Sequence, residues 1–220
     1  MLENNENSIN YVWRLINQQN LIGSLGRTTF SMSNLSIVVT TKDIIGNIIQ
    51  EWFSKWMQDQ GIEVHGGPHT QSWPDFVFSD DMHLEVKAFD GDAGPNFDVA
   101  NFDAFIRSVL EHPERLDTDH IIFEYRLVGE QIVISNIYNK KIWEITGPSD
   151  TNILNIQVKQ GQPINIRPKN WRSSRVLVFA NRQSFVETLG QAVERFRGDI
   201  YPNWYDRVAA AYQTATGHPL

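Results

Sequence analysis

The sequence has no cysteine among its 220 residues. This absence excludes disulfide bonds, thiolate-bound zinc and thiol catalysis, and it is typical of a reducing cytoplasm. No apolar run approaches the roughly 20 residues that a helix needs to cross a bilayer, and the first residues are polar and acidic. No Gly-Lys-Ser/Thr phosphate loop occurs either. We therefore expect a soluble, cytoplasmic protein with no membrane segment and no nucleotide cofactor.

The chain also lacks an excess of positive charge, because its net charge is −7. Its basic residues are unevenly distributed, however. Between Lys140 and Arg182, eight basic residues stand against two acidic ones, so this segment carries +6 and the remainder −13. Such asymmetry suits an acidic metal-binding half and a basic half that holds phosphate. The alternative is an ordinary solvated surface.

Two short apolar runs joined by turn residues carry the most informative motif. After Asp75 come aromatic and β-branched residues, then a turn over residues 79–81, then a run over residues 82–89 in which apolar and polar side chains alternate as far as residue 88. Period-two alternation predicts a strand with Glu85 and Lys87 on one face, and the two runs together predict a β-hairpin. The hairpin would bring Asp75 near Glu85.

Two carboxylates at that separation would form a hard-oxygen site suited to Mg²⁺, which takes one or two protein carboxylates and keeps several waters. A metal there would activate water and offset negative charge on a phosphate. Lys87 could orient the attacking water and stabilise the transition state, and the carbonyl oxygen of Val86 could add a neutral ligand. The alternative is an exposed hairpin with a surface Glu–Lys pair.

Pro74-Asp75 followed by Glu85-Val86-Lys87 resembles the motif of the PD-(D/E)xK nuclease superfamily. The resemblance implies that Asp75 and Glu85 bind Mg²⁺ and that Lys87 assists the water. It also implies a further acid on the preceding helix, for which Glu51 is the candidate. The implied fold is α/β (α+β), a restriction-endonuclease-like core with a central mixed β-sheet flanked by helices.

Hydrophobic periodicity and turn residues along the chain predict the remaining elements. Helices are expected over residues 8–19, 41–60, 98–110, 184–196 and 203–214. Further strands are expected over residues 35–39, 121–127, 131–137, 142–145, 153–158 and 176–179. No linker divides the sequence, so residues 1–220 are interpreted as a single endonuclease domain, with a catalytic core at about 41–137, a basic DNA-contacting segment at about 140–182 and C-terminal helices at 183–216.

The segment of residues 160–175 is dense in side chains that bind phosphates or base edges. Phosphate contact is favoured over base recognition, because most protein–DNA hydrogen bonds go to phosphate and sugar. Trp171 is expected to pack in the core rather than stack on a base. The candidate DNA-binding residues are Arg167, Lys169, Asn170, Arg172 and Arg175.

A chain of this size without helicase motifs or zinc ligands looks most like a type II restriction endonuclease within that superfamily. The segments 84–103 and 165–171 resemble restriction enzymes that cut within GGNNCC-type sites. The resemblance implies double-stranded DNA as substrate and a homodimer, because a palindromic site presents the same edges twice. A structure-selective or repair nuclease and a non-catalytic DNA-binding domain remain alternatives.

Overall fold

The computed structural model describes residues 6–67 and 73–220. The chain forms two compact units: the first runs up to Gly94 and resumes over Asp119–Asn139, and the second comprises Pro95–Thr118 and Lys140–Leu220. The interpretation of residues 1–220 as a single domain stays a prediction. Within the described ranges, no helix has the length and apolar character that crossing a membrane requires.

The helices of the described chain are α1 (Ser8–Gln18), α2 (Lys42–Asp59), α3 (Phe102–Glu111), α4 (Ile142–Ile145), α5 (Arg182–Arg197) and α6 (Trp204–Thr216), with a 3₁₀ turn at Pro113–Asp117. Its strands are β1 (Leu25–Gly26), β2 (Thr29–Met32), β3 (Leu35–Val38), β4 (Val64–Gly66), β5 (Phe76–Phe78), β6 (His83–Asp90), β7 (Ala100–Asn101), β8 (Asp119–Val128), β9 (Gln131–Lys141), β10 (Ile156–Lys159) and β11 (Gln162–Ile166).

The first unit is built on a mixed sheet with the strand order β1-β9-β8-β6-β5-β4. Strand β6 pairs in parallel with β8 and antiparallel with β5. Helix α2 contacts β6 and buries one apolar stripe, in which the rings of Phe53 and Phe123 meet edge to face at 5.1 Å between centroids. Because α2 and the β5–β6 hairpin share this core, the helix is held beside the predicted site.

The second unit combines the sheet β10-β11-β7 with helices α3 to α6. Arg197 binds both carboxylate oxygens of Asp103 at 2.8 and 2.9 Å, which links α5 to the first turn of α3. The indole of Trp204 donates to the carbonyl oxygen of Ile106 at 2.9 Å. Pro163 lies in β11 where the register with β10 shifts, so the missing N–H interrupts an already irregular ladder.

Two predicted strands are wrong. Residues 142–145 form the short helix α4, because the Glu144 carboxylate accepts the backbone N–H of Lys141 at 2.7 Å and caps its first turn. Residues 176–179 are not a strand, and Leu177 is 74% exposed, so this apolar run has no buried face.

The helix predicted from residue 98 begins at Phe102, because the Asn101 side chain accepts the N–H of Ala104 and caps it there.

A partly buried polar cluster in the second unit joins the 3₁₀ turn to α5 and α6. The hydroxyl of Tyr212 donates to the Asp117 carboxylate, and the Arg182 guanidinium binds both Asp117 and Tyr212. Burial, together with the hydrogen bond to Asp117, raises the pKa of Tyr212 to about 12. The protonated phenol is therefore the form that the fold stabilises.

Replacing Tyr212 by phenylalanine is expected to lower the free energy of unfolding by about 2 kcal/mol, because the hydrogen bonds of its hydroxyl to the charged Asp117 and Arg182 are lost. The raised pKa adds a pH dependence: as pH rises from about 10 to about 12, the unfolded chain loses the phenolic proton before the folded one, so stability falls. That alkaline component should be absent from Tyr212→Phe. Denaturant unfolding at neutral and alkaline pH measures both, and equal curves for the two proteins would contradict the cluster's role.

Candidate active site

The predicted β-hairpin is present and positions the candidate catalytic residues. Strands β5 and β6 pair antiparallel, with Phe76 opposite Leu84 and Val77 opposite His83. Asp75 directly precedes β5, and its Oδ2 accepts the backbone N–H of Val86 at 2.8 Å. This bond ties the carboxylate to the strand that carries Glu85 and Lys87, so the hairpin brings all three side chains together.

Lys87 lies between the two carboxylates. Its Nζ is 2.6 Å from Oε2 of Glu85 and 3.6 Å from Oδ2 of Asp75. The side chains of Asp75, Glu85 and Lys87 are only 14, 9 and 19% exposed. Solvent therefore screens these charges weakly, and their mutual interactions are stronger than those of a surface ion pair.

The electrostatics of the site favour an additional positive charge. Burial, and next the neighbouring Glu85 carboxylate, raise the pKa of Asp75, although Lys87, the Val86 N–H and the Gln50 side chain oppose the rise. Burial alone would lower the pKa of Lys87, but Glu85 and Asp75 outweigh it and the pKa is raised. The single positive charge of Lys87 therefore does not neutralise the two negative charges of Asp75 and Glu85. The raised pKa of Lys87 favours its protonated form.

Helix α2 contributes a residue that the sequence motif did not identify. The side-chain amide of Gln50 interacts with the Asp75 carboxylate and lowers its pKa. Gln50 follows the buried Ile49, at the border of the apolar stripe. Helical spacing in the sequence could have indicated Gln50. One face of α2 carries the polar residues Asn47, Gln50, Glu51 and Ser54.

That polar face of α2 lines a cavity of about 360 Å³ together with Asp75 and Pro74. Glu51, the candidate additional acid, is exposed and borders the same cavity. The cavity therefore lies between the helix that carries Glu51 and the start of the catalytic hairpin. Whether Glu51 takes part in catalysis stays a prediction.

The donor set fits a hard divalent cation. Among the residues that the structure describes, no cluster of three or more His, Asp or Glu side chains could hold a metal ion. A site with two carboxylates suits Mg²⁺, which retains several waters and uses few protein ligands. The undercompensated charge around Asp75 and Glu85 favours the same class of ion. The site residues are thus compatible with Mg²⁺, and they offer no imidazole or thiolate to a softer metal.

The candidate DNA-binding residues lie in the second unit and differ in their surroundings. Arg167 pairs with Asp98 and Asn96, so its guanidinium is engaged within the protein. Lys169 is half-buried, whereas Asn170, Arg172 and Arg175 are exposed. Arg172 donates from Nε to the Asn170 side chain at 3.1 Å. The exposed side chains are accessible to a ligand, and their binding of DNA stays a prediction.

Trp171 is half-buried, and its ring meets that of Phe97 edge to face at 6.1 Å between centroids. This contact lies within the second unit and agrees with the expected packing role.

Comparison with known proteins extends over nearly the whole chain. Residues 6–220 match the family model described as NgoBV restriction endonuclease. The type II restriction enzyme NlaIV of Neisseria lactamica is 33% identical over 188 residues, which cover 82% of this chain and 77% of that protein. The type II restriction enzyme NgoBV of Neisseria gonorrhoeae is 30% identical over 152 residues, which cover 67% and 86%.

The fold agrees with a solved structure as well. The NlaIV restriction endonuclease superposes with a TM-score of 0.89 at 29% identity, over 98% of this chain and 92% of that one. The predicted α/β (α+β) fold with a central mixed sheet flanked by helices is therefore confirmed, as is the predicted resemblance to restriction endonucleases.

Proposed function

Because this chain belongs to the NgoBV restriction endonuclease family, it is a type II restriction endonuclease, and we propose that Asp75, Glu85 and Lys87 are its catalytic residues. Of the three functions that the sequence left open, the site-specific deoxyribonuclease is the one confirmed. Its substrate is double-stranded DNA. The observation that carries the proposal is the contact of one protonated lysine with two largely buried carboxylates.

Restriction endonucleases of this type are in general metal-dependent, and we propose Mg²⁺ as the ion. Carboxylate oxygens of Asp75 and Glu85 would hold it, with the carbonyl oxygen of Val86 as a neutral third ligand. When bound, the ion makes water more acidic and offsets negative charge on the scissile phosphate. The hydrogen bond from Val86 N–H to Asp75 keeps that carboxylate oriented towards Glu85.

Lys87 acts as a cation and hydrogen-bond donor. Burial alone would lower its pKa, but the Glu85 and Asp75 carboxylates raise it overall, which favours the charged ammonium. Its Nζ can orient the attacking water and stabilise the negative charge that develops on the phosphate. The neighbouring carboxylates hold it in place, which limits the entropy lost when the transition state forms.

The basic segment supplies phosphate contacts in this proposal. Exposed Asn170, Arg172 and Arg175 are the most accessible donors, and Lys169 and Arg167 complete the set. A palindromic site presents the same pattern of edges twice, so we propose a two-fold homodimer in which each protomer cuts one strand. Glu51 is retained as a candidate catalytic acid because it borders the same cavity as Asp75.

Digestion of a DNA of known sequence that contains GGNNCC-type sites tests the function. With Mg²⁺ we expect discrete fragments whose ends map to one short site, and with chelator we expect intact DNA. Fragments with random ends would contradict site specificity, and cutting in chelator would contradict the metal. Both strands are to be mapped, since the proposal places one cut in each.

Gln50 provides a test of how Asp75 is prepared for the ion. In Gln50→Leu, one of the groups that lower the Asp75 pKa is lost, so the pKa rises further. A proton on Asp75 competes with the metal, so the concentration of Mg²⁺ for half-maximal cleavage should increase, and the increase should be larger at lower pH. The pH profile of cleavage should also shift to higher pH.

The matched control is Gln58→Leu, which makes the same change at an exposed position of α2 outside the cavity. It should leave the Mg²⁺ requirement and the pH profile unchanged. Equal effects of the two substitutions, or no effect of Gln50→Leu, would show that Gln50 does not position Asp75.

A further inference from the structure

The hairpin of β2 and β3 forms a sheet of its own in the first unit. The strands pair antiparallel, with Phe30 opposite Ile37 and Met32 opposite Leu35. Within the described ranges these two strands pair with each other and with no third strand. We call this hairpin the ribbon.

The ribbon has one face of large apolar side chains and one face of smaller, mostly polar side chains. Residues directly opposite each other share a face, as do alternate residues along a strand, so four large apolar side chains lie together. On the other face the hydroxyls of Ser31 and Ser36 are 2.7 Å apart. The apolar side chains are largely uncovered: Phe30 is 54% exposed, Met32 68%, Leu35 69% and Ile37 51%.

This exposure is unfavourable for an isolated protomer. An apolar patch on the order of 400 Å² matches the largest patches of ordinary monomers and marks a surface for interaction. A two-stranded hairpin is at best marginally stable in water and needs a covered face. The ribbon is therefore expected to be stabilised by a partner that buries the apolar face.

The charge of the ribbon indicates the chemistry of that partner. Residues 28–41 contain no charged side chain, in a chain where charged residues make up 20%. Affinity for DNA comes mainly from cations that neutralise phosphates, and the ribbon has no cation. An uncharged apolar face is complementary to another uncharged apolar face, and a second ribbon offers the same four side chains.

The area supports pairing of two copies. Two such patches would bury on the order of 800 Å² in total, and the polar flanks of a two-fold contact would bring this near the lower limit of specific interfaces, about 1,200 Å². A two-fold contact is self-complementary, because each copy presents the same face to the other. Exposed Ile22 and Leu25, which precede the ribbon in the chain, add apolar area nearby in sequence.

We propose that the apolar face of the ribbon, formed by Phe30, Met32, Leu35 and Ile37, is the surface through which two copies of this chain dimerise. The inference rests on the proposed function, because a two-fold dimer fits a palindromic site. It names the surface that the proposed function leaves open. The ribbon lies outside the catalytic hairpin in sequence, so changes in it leave Asp75, Glu85 and Lys87 intact.

Sedimentation equilibrium of the full chain tests the proposal. The wild-type protein is expected at twice its 25.3 kDa chain mass. Leu35→Glu places one charge from each copy in the apolar contact and should raise the dimer dissociation constant by roughly 100-fold. Ser36→Glu adds the same charge on the opposite face and should leave the dimer intact. Thermal unfolding of both variants at low concentration checks that the protomers fold.

A cross-link provides a readout that does not depend on a destabilising charge. The chain has no cysteine, so Met32→Cys and Ser31→Cys each introduce a single thiol. A short bis-maleimide should join two copies of Met32→Cys and far fewer copies of Ser31→Cys. Equal cross-linking of both variants, or of neither, would overturn the proposal.

The outcomes separate the ribbon from the catalytic proposal. Asp75→Asn should remain a dimer although it fails to cut DNA. A wild-type protein that cuts DNA but stays monomeric with and without DNA would overturn the ribbon proposal alone. Persistence of the dimer in Leu35→Glu would also overturn it. If Leu35→Glu loses DNA binding but remains a dimer, the ribbon contacts DNA rather than a second copy.

Discussion

Replacing Lys87 by methionine is expected to lower the rate of DNA cleavage by roughly three orders of magnitude, which is the scale of removing a preorganised charge from a transition state. Methionine preserves most of the side-chain length and packs in the same half-buried space. Only the ammonium, 2.6 Å from Glu85 and 3.6 Å from Asp75, is removed. DNA binding should survive, because the residues proposed to hold phosphate lie in residues 167–175.

Metal binding distinguishes this prediction from a simple loss of structure. Without Lys87, the carboxylates of Asp75 and Glu85 lose their main compensating charge, so a divalent cation should bind Lys87→Met at least as tightly as the wild type. The rise in melting temperature on adding Mg²⁺ should therefore be as large or larger in the variant. The matched control is Lys55→Met, which removes an exposed lysine paired with Asp59 on α2.

Two results would contradict the role of Lys87. Normal cleavage by Lys87→Met would remove it from catalysis. A variant that neither cuts DNA nor responds to metal, with Lys55→Met normal, would show that the lysine supports the fold rather than the chemistry.

Replacing Asp75 by asparagine is expected to abolish both metal binding and cleavage, with a loss of rate of about 1,000-fold or more. Asparagine retains the shape of the side chain, and its Oδ1 can still accept the N–H of Val86, so the hairpin should form. The site then keeps a single carboxylate, whose charge Lys87 already neutralises. The binding free energy of a divalent cation there should therefore be small. Calorimetric titration with Mg²⁺ and a single-turnover cleavage assay measure the two losses.

Asp59→Asn is the control for this substitution, since it removes an exposed carboxylate of α2. It should cut DNA at the wild-type rate. Retention of metal binding by Asp75→Asn would indicate that another group holds the ion, and retention of cleavage would exclude Asp75 from the chemistry.

The catalytic hairpin could be predicted because its determinants are local. Asp75 and Glu85 are ten positions apart, and the alternation around Glu85 predicts which side chains lie on the same face of the strand. The helix α2 was equally clear from its apolar spacing, and it was found within a residue or two of its predicted ends. Periodicity and turn chemistry therefore predict the elements of the first unit that hold the site.

What could not be predicted depends on contacts between distant positions. Gln50 reaches Asp75 from another element, and no spacing rule links a helix face to a particular carboxylate. Arg167 pairs with Asp98, which is 69 residues away, and no local pattern indicates that contact. Strand β4 lies among glycines, whose low strand propensity concealed a segment that pairs with β5.

The alternating and apolar runs of the second unit were harder to interpret. Residues 142–145 and 176–179 are as apolar as true strands, yet the first is capped as a helix by Glu144 and the second leaves Leu177 exposed. A short apolar run does not specify its partner strand, and the partner decides whether a strand forms. The division of the chain into two discontinuous units has the same cause, since it depends on pairings across long sequence separations.

The most direct test of the catalytic assignment is a crystal structure with Mn²⁺ in place of Mg²⁺, in which anomalous scattering locates the ion. We expect a peak within about 2.3 Å of carboxylate oxygens of both Asp75 and Glu85, with the Val86 carbonyl oxygen as a further ligand. A peak that contacts neither carboxylate, or no peak in crystals of a protein that cuts DNA with Mn²⁺, would contradict the assignment of the site.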